Sequence, residues 1–88
     1  MNSQKNTDLI NKLLYRSLHR GCKETDFLLG KYGEANLYQM NDAELKLFEE
    51  LLDEDDMAIY DWILSKIIIP QKYLELLAKI RSFHKIYN

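Results

Sequence analysis

The sequence has no valine, two threonines, one proline and one cysteine, against fifteen leucines and eight isoleucines. Strands draw on valine and threonine, whereas leucine, glutamate, lysine and methionine favour helix, so an ordinary β-sheet domain is excluded. With a single thiol, Cys22, the chain cannot close an internal disulfide, and small secreted domains usually need several. One cysteine and two distant histidines, His19 and His84, cannot complete the four-ligand set of a structural zinc site. No apolar stretch approaches the ~20 residues of a membrane span. Met1 to Asp8 is polar and lacks a signal-peptide core, position 2 is not glycine, and no prenylation box ends the chain. These absences lead to the expectation of a protein without membrane insertion, cytoplasmic in a bacterium or resident in the mitochondrial matrix.

What is present is ordinary for a folded domain. Hydrophobic residues make up 47% of the chain and charged ones 30%, with only three glycines, which argues against disorder. Eighty-eight residues form one small domain that buries roughly two-thirds of its unfolded surface. Ligand pockets of about 300–1,000 Å³ are hard to build in so small a core. A monomer that works on a partner, and not a self-contained enzyme, is the expectation.

The net charge of −2 conceals a segregation. Residues 1–23 carry five basic side chains and one acid, residues 42–61 carry nine acids and one lysine, and residues 62–88 again carry five basic groups and one acid. A nucleic-acid binder would more often show a basic balance or a dense basic face, and this chain has neither.

Apolar spacing resolves five helical stretches, an all-α fold read as a small compact five-helix bundle spanning 1–88, with 1–7 as a flexible tail. The first has apolar residues at 9, 10, 13, 14 and 18, Thr7 or Asp8 as cap and Gly21 as stop. The second begins near Lys23 with Glu24 and Asp26 in its first turn, and carries Phe27, Leu28, Leu29 and Tyr32 inward. Gly30 and Gly33 weaken it by about 1 kcal/mol each. Asn41 and Glu44 form a capping box ahead of Leu45, Phe48, Leu51 and Leu52. Asp55 or Asp56 caps a fourth helix with Ile59, Tyr60, Ile63 and Ile67. Pro70 opens a fifth, with Tyr73, Leu74, Leu77 and Ile80 on one face. Ile67, Ile68 and Ile69 read as core and helix-end packing.

Candidate chemistry is sparse. His19 and Cys22 are close in sequence, but Gly21 separates them and no third group orients the pair, so nucleophilic catalysis lacks its parts. An EF-hand opened by Asp53 would place Met57, Ala58 and Leu64 where a ligand, a glycine and a glutamate are required. The acidic run is therefore a solvated turn with capping carboxylates, or a patch that orients a partner by charge. Six tyrosines, three phenylalanines and one tryptophan are many for a small core, and Tyr15, Tyr32, Tyr38 and Trp62 are not all expected to fit inside it. The segment Arg20-Gly21-Cys22-Lys23-Glu24-Thr25-Asp26 stands out. Gly21 permits a turn or the close approach of another chain, beside the guanidinium fork of Arg20 and the carboxylate of Glu24. It reads as a helix-ending glycine with a local Arg20–Glu24 ion pair, or as a flat polar contact site.

The stretch Leu13-Leu14-Tyr15-Arg16-Ser17-x-x-Arg20-Gly21-x-x-Glu24-Thr25-Asp26-x-Leu28-Leu29 resembles the SdhE-type flavinylation factors, also called succinate dehydrogenase assembly factors. Their hallmark is Arg-Gly-x-x-Glu between the first two helices of a five-helix bundle. The resemblance continues through Met40-Asn41-x-x-Glu44-Leu45, Leu51-Leu52 and Asp55-Asp56, then Ile59-Tyr60-x-Trp62. It departs where many members carry proline and an acid after the paired aspartates, since Met57 and Ala58 stand here. The Glu-Thr-Asp-x-Leu-Leu form is similar to the mitochondrial and alphaproteobacterial branch.

The resemblance implies an assembly chaperone that binds the flavoprotein subunit of succinate dehydrogenase, or of fumarate reductase, and promotes covalent attachment of FAD. It implies that the chain binds no cofactor stably itself and acts on the FAD of its partner. Partner contact is expected at Arg20, Gly21, Glu24, Asp26, Asp55, Asp56 and Trp62. The rival readings are a helix-turn-helix DNA-binding domain turning at Gly21, and an interaction module for an unrelated partner.

Overall fold

Five α-helices and two short 3-10 turns make up the architecture of the computed structural model, which describes residues 3–64 and 68–86, and no strand occurs among them. Helix α1 (Ser3–Leu18) starts earlier than its apolar pattern, because nothing between Ser3 and Thr7 breaks a helix. Thr7 and Asp8 therefore lie within it and do not cap it. Ile10, Leu13 and Ser17 form its buried stripe.

Helix α2 (Lys23–Asn36) forms despite two glycines. A Cβ on Gly30 would collide with the side chain of Leu18, so the glycine lets α1 and α2 approach closely, which offsets its poor propensity. The buried stripe is Thr25, Leu28, Leu29 and Tyr32, at helical spacing. Phe27 lies one residue off that stripe and, contrary to the sequence pattern, is 57% exposed, its ring 5.6 Å from that of His84.

A 3-10 turn (Leu37–Gln39) leads into α3 (Asp42–Leu52), whose start agrees with the sequence pattern. The Asn41 side chain accepts from the Glu44 N–H at 2.8 Å, and the Glu44 carboxylate accepts from the Asn41 N–H at 2.8 Å. Leu45, Phe48, Leu51 and Leu52 are all buried. Helix α4 (Asp56–Ile63) is capped by Asp55, which accepts from the N–H groups of Met57 and Ala58. Its Ile59 and Ile63 are fully buried and Tyr60 is half-buried; Ile67 lies outside the described residues.

Pro70 precedes a second 3-10 turn (Gln71–Tyr73), which runs directly into α5 (Leu74–Phe83). The inward face is Tyr73, Leu76, Leu77 and Ile80, the i, i+3, i+4 and i+7 stripe of an ordinary helix. Leu74, expected inward, is half-exposed. Ile68 is 94% exposed and does not pack in the core, whereas Ile69 packs against it. Helix α1 rests on α2 and α3, and α5 on α4 and α2, enclosing Leu13, Leu29, Leu37, Phe48, Leu51, Ile59, Ile63, Tyr73 and Leu77.

Candidate functional site

Two connections meet on one side of the bundle: the α1–α2 loop around Arg20 and Gly21, and the acidic α3–α4 turn. Arg20 joins them. Its Nε donates to Asp56 Oδ1 at 2.5 Å, Nη1 to the Leu52 carbonyl at 2.6 Å and Nη2 to the Glu54 carbonyl at 2.7 Å. The carbonyl of Leu52, in the last turn of α3, has no partner within its helix, so a cation there is satisfied by hydrogen bonding and by the helix dipole. The backbone N–H of Arg20 donates to Asp26 Oδ1 at 2.7 Å, so Asp26 holds the loop from the first turn of α2. The expected Arg20–Glu24 ion pair does not form, because Asp56 and the two carbonyls take the guanidinium instead.

Each carboxylate of the acidic turn has a partner, and those of Asp53 and Asp55 are exposed. Asp53 pairs with Arg16 at 2.6 Å, Asp55 caps α4, Asp56 pairs with Arg20, and Glu54 accepts from the Tyr73 hydroxyl at 2.8 Å. Burial, and then the Glu54 carboxylate, push the Tyr73 phenol above its ordinary value of 10. A hydrogen bond to a charged group contributes about 1.5–3 kcal/mol, so the Arg20 and Glu54 contacts tie the turn to the α1–α2 loop and to the second 3-10 turn.

Gly21 and Glu24 point the other way. Gly21 adopts φ +93°, a conformation that glycine reaches without a steric penalty, and a Cβ built on it meets nothing within 4 Å. Glu24 is exposed and, among the described residues, receives only a 3.5 Å contact from the Cys22 thiol. Tyr15, 64% exposed, stacks on exposed His19 just before the loop, and Met57, 62% exposed, comes directly after Asp56. The structure thus brings together Arg20, Gly21, Glu24, Asp26, Asp55 and Asp56, but not Trp62. Trp62 is 7% exposed and tilts against Tyr73 inside the core, so it offers no surface to a partner. Of the four aromatics not all expected to fit inside, Tyr15 and Tyr38 are exposed, and Tyr32 is buried like Trp62. The Arg16–Asp53 and Tyr73–Glu54 contacts are not apparent from sequence spacing; opposite charge on segments 1–23 and 42–61 is the one signal that suggests the first.

Other chemistry finds no assembled site. The His19 Nδ1 lies 2.9 Å from the Tyr15 carbonyl, while the Cys22 sulfur accepts from Thr25 and donates to Glu24, so each turns to other partners. Among the described residues no group of three His, Cys, Asp or Glu could hold a metal ion, and no helix is long and apolar enough to cross a membrane. A groove of about 340 Å³ lies elsewhere, between Tyr32, Met40, Glu44, Leu47, Lys72 and Lys79, with its two lysines paired to Glu50 and Glu44. In the helix-turn-helix reading, α2 would meet DNA with Glu24 and Asp26 in its first turn, and these acids repel phosphate.

Comparison with known proteins gives a consistent set. A family model described as flavinator of succinate dehydrogenase matches residues 11–84. The mitochondrial succinate dehydrogenase assembly factor 2 of Dictyostelium discoideum is 34% identical over 76 residues, covering 86% of this chain and 54% of that protein. The protein of the same name from Mycosarcoma maydis is 39% identical over 64 residues, 73% of this chain and 27% of its own length. The FAD assembly factor SdhE of Francisella tularensis is 38% identical over 89 residues, 96% of this chain and 92% of its own length. The chain thus spans about half of the first relative, about a quarter of the second and nearly all of the third. No solved structure matches.

Proposed function

The chain belongs to the flavinator of succinate dehydrogenase family, and from that premise we propose that it is an assembly factor for the flavoprotein subunit of succinate dehydrogenase. It binds that subunit and promotes covalent attachment of FAD; fumarate reductase, whose flavoprotein poses the same chemical problem, is a second target. The face used is the joint between the α1–α2 loop and the acidic turn, carrying Arg20, Gly21, Glu24, Asp26, Asp55 and Asp56. The single observation that supports this face is Gly21: it is exposed, held at φ +93° and open beyond its Cα, so a partner's surface can come against bare backbone.

The chain acts as a monomer and not as an enzyme. Its contribution is differential binding: by favouring the flavoprotein conformation in which the acceptor side chain faces the flavin, it raises that state's population. FAD stays with the flavoprotein. The groove near Lys72 is at the small end of the range for ligand sites, its lysines are already paired, and none of its lining residues belongs to the Gly21 loop. Relatives named as mitochondrial and bacterial proteins support a place in the matrix or the cytoplasm, wherever the flavoprotein is made competent.

Coexpression with the flavoprotein from the same genome tests the reading. Covalent flavin, seen as in-gel fluorescence after denaturation, should depend on this chain. A flavin signal of equal strength without it would reject the assignment.

A further inference from the structure

We propose that Arg20 is a positioning residue: its guanidinium faces inward to fix the Gly21 loop, and Gly21 and Glu24 make the partner contact. This rests on the assembly-factor reading and divides its face by direction. The Arg20 side chain is 10% exposed, and its Nε, Nη1 and Nη2 each already donate, to Asp56, Leu52 and Glu54. The acceptors come from three places, the end of α3, the acidic turn and the start of α4, so the planar fork spans a joint that no single point charge could span equally well. At the same residue the backbone N–H is held by Asp26. Side chain and main chain are thus both fixed immediately before Gly21.

Beyond Arg20 the loop turns outward. Gly21 meets no neighbour beyond its Cα, and the Glu24 carboxylate is exposed with, among the described residues, only the weak thiol contact. Arg20, Asp26 and Asp56 therefore set where the loop lies, and Gly21 and Glu24 are what the partner finds. Asp56 acts through Arg20. Its carboxylate neutralises the guanidinium and, sitting in the first turn of α4, also suits that helix's dipole.

A double-mutant cycle separates this from direct contact. Affinity for the isolated flavoprotein subunit is measured for the wild type, Arg20→Lys, Asp56→Asn and the double variant, at a temperature where circular dichroism finds each folded. Positioning predicts that each single change weakens binding by about tenfold, the size of one charge-assisted hydrogen bond, and that the double variant is no weaker than the worse single one. Glu24→Gln, whose contact Arg20 places, should couple with Arg20→Lys, the pair weakening binding by less than the product of the two single effects. If Asp56→Asn binds as the wild type while Arg20→Lys is weakened, or if the two effects multiply, the proposal is overturned.

Amide hydrogen exchange over residues 20–26 of the free protein gives an arm that needs no partner. It should quicken alike in Arg20→Lys and Asp56→Asn and stay unchanged in Glu24→Gln; unchanged exchange in the first two also overturns the proposal. Failure of the wild type to bind the flavoprotein would reject the assembly-factor reading, while the exchange arm still decides what Arg20 does to the loop.

Discussion

Replacing Gly21 probes the face most directly, because the structure separates its two costs. In the free protein the only penalty is conformational, since a Cβ meets nothing within 4 Å while φ stands at +93°. Left-handed backbone costs an ordinary L-residue about 1–2 kcal/mol, and asparagine less because it tolerates that region. For a domain of this size each kcal/mol lowers Tm by about 4–8 °C, so Gly21→Ala should lose about 4–16 °C and Gly21→Asn less. A domain stable by several kcal/mol stays folded at 20 °C through either change, as about 5 kcal/mol is the usual lower bound. The bound state adds a second cost. If the flavoprotein packs against bare backbone, a new side chain must be accommodated in a filled contact, at about 1–3 kcal/mol, or roughly 5- to 150-fold in Kd. Thermal unfolding and then calorimetric titration with the flavoprotein subunit read both numbers on the same samples. The decisive pattern is a larger affinity loss for Asn than for Ala, in the opposite order to their Tm losses. Variants that are fully folded at 20 °C and bind as the wild type would refute the close approach.

Three further outcomes are expected. Asn41→Ala removes the capping box of α3 and should cost about 1 kcal/mol in urea unfolding, with no change in flavoprotein affinity at 20 °C. Trp62→Ala should cost about 3–5 kcal/mol through a core cavity, and Trp62→Phe much less; flavinylation should track the folded fraction in both, and a folded Trp62→Ala with impaired binding would contradict the buried placement. The Tyr73 phenol is held protonated in the fold above its ordinary value of 10, so its stabilising contribution is full below about pH 10 and is lost as pH rises toward the folded value. Urea midpoints from about pH 9 to about pH 12 should therefore fall more steeply for the wild type than for Tyr73→Phe, and equal slopes would show that the phenol is not held this way.

Features that depend on near neighbours in the chain are legible in the sequence. The Asn41–Glu44 box and the Asp55 cap are formed by residues two or three positions apart, and spacing alone exposes them. The helix starting at Lys23 also matches, although its glycines speak against it, because propensity is local while the Gly30–Leu18 approach is not. Long-range pairings are the misses. Sequence proximity pairs Arg20 with Glu24, four residues on, but its partner Asp56 lies 36 positions away. Trp62 is expected among the partner contacts, but its position beside Ile63 on the inner face of α4 buries it against Tyr73. Leu74 is apolar and expected inward, but it stands one residue past Tyr73, about 100° around the helix and off the stripe of Tyr73, Leu76, Leu77 and Ile80. The family resemblance is carried by Arg20, Gly21 and Glu24 as a string; that the arginine turns inward while the other two turn outward is invisible in that string.

The reach of Arg20 has a consequence for when the protein can work. The loop it anchors is encoded within the first two dozen positions, but its anchors, Leu52, Glu54 and Asp56, are made last among the parts of the site. On the ribosome, α1 and the Gly21 loop emerge well before the acidic turn, with Asp26 holding the Arg20 main chain and the guanidinium still without its acceptors. A nascent or nicked chain lacking that turn displays the motif's letters without its shape. Only a chain folded through the start of α4 holds the loop at every one of its anchors.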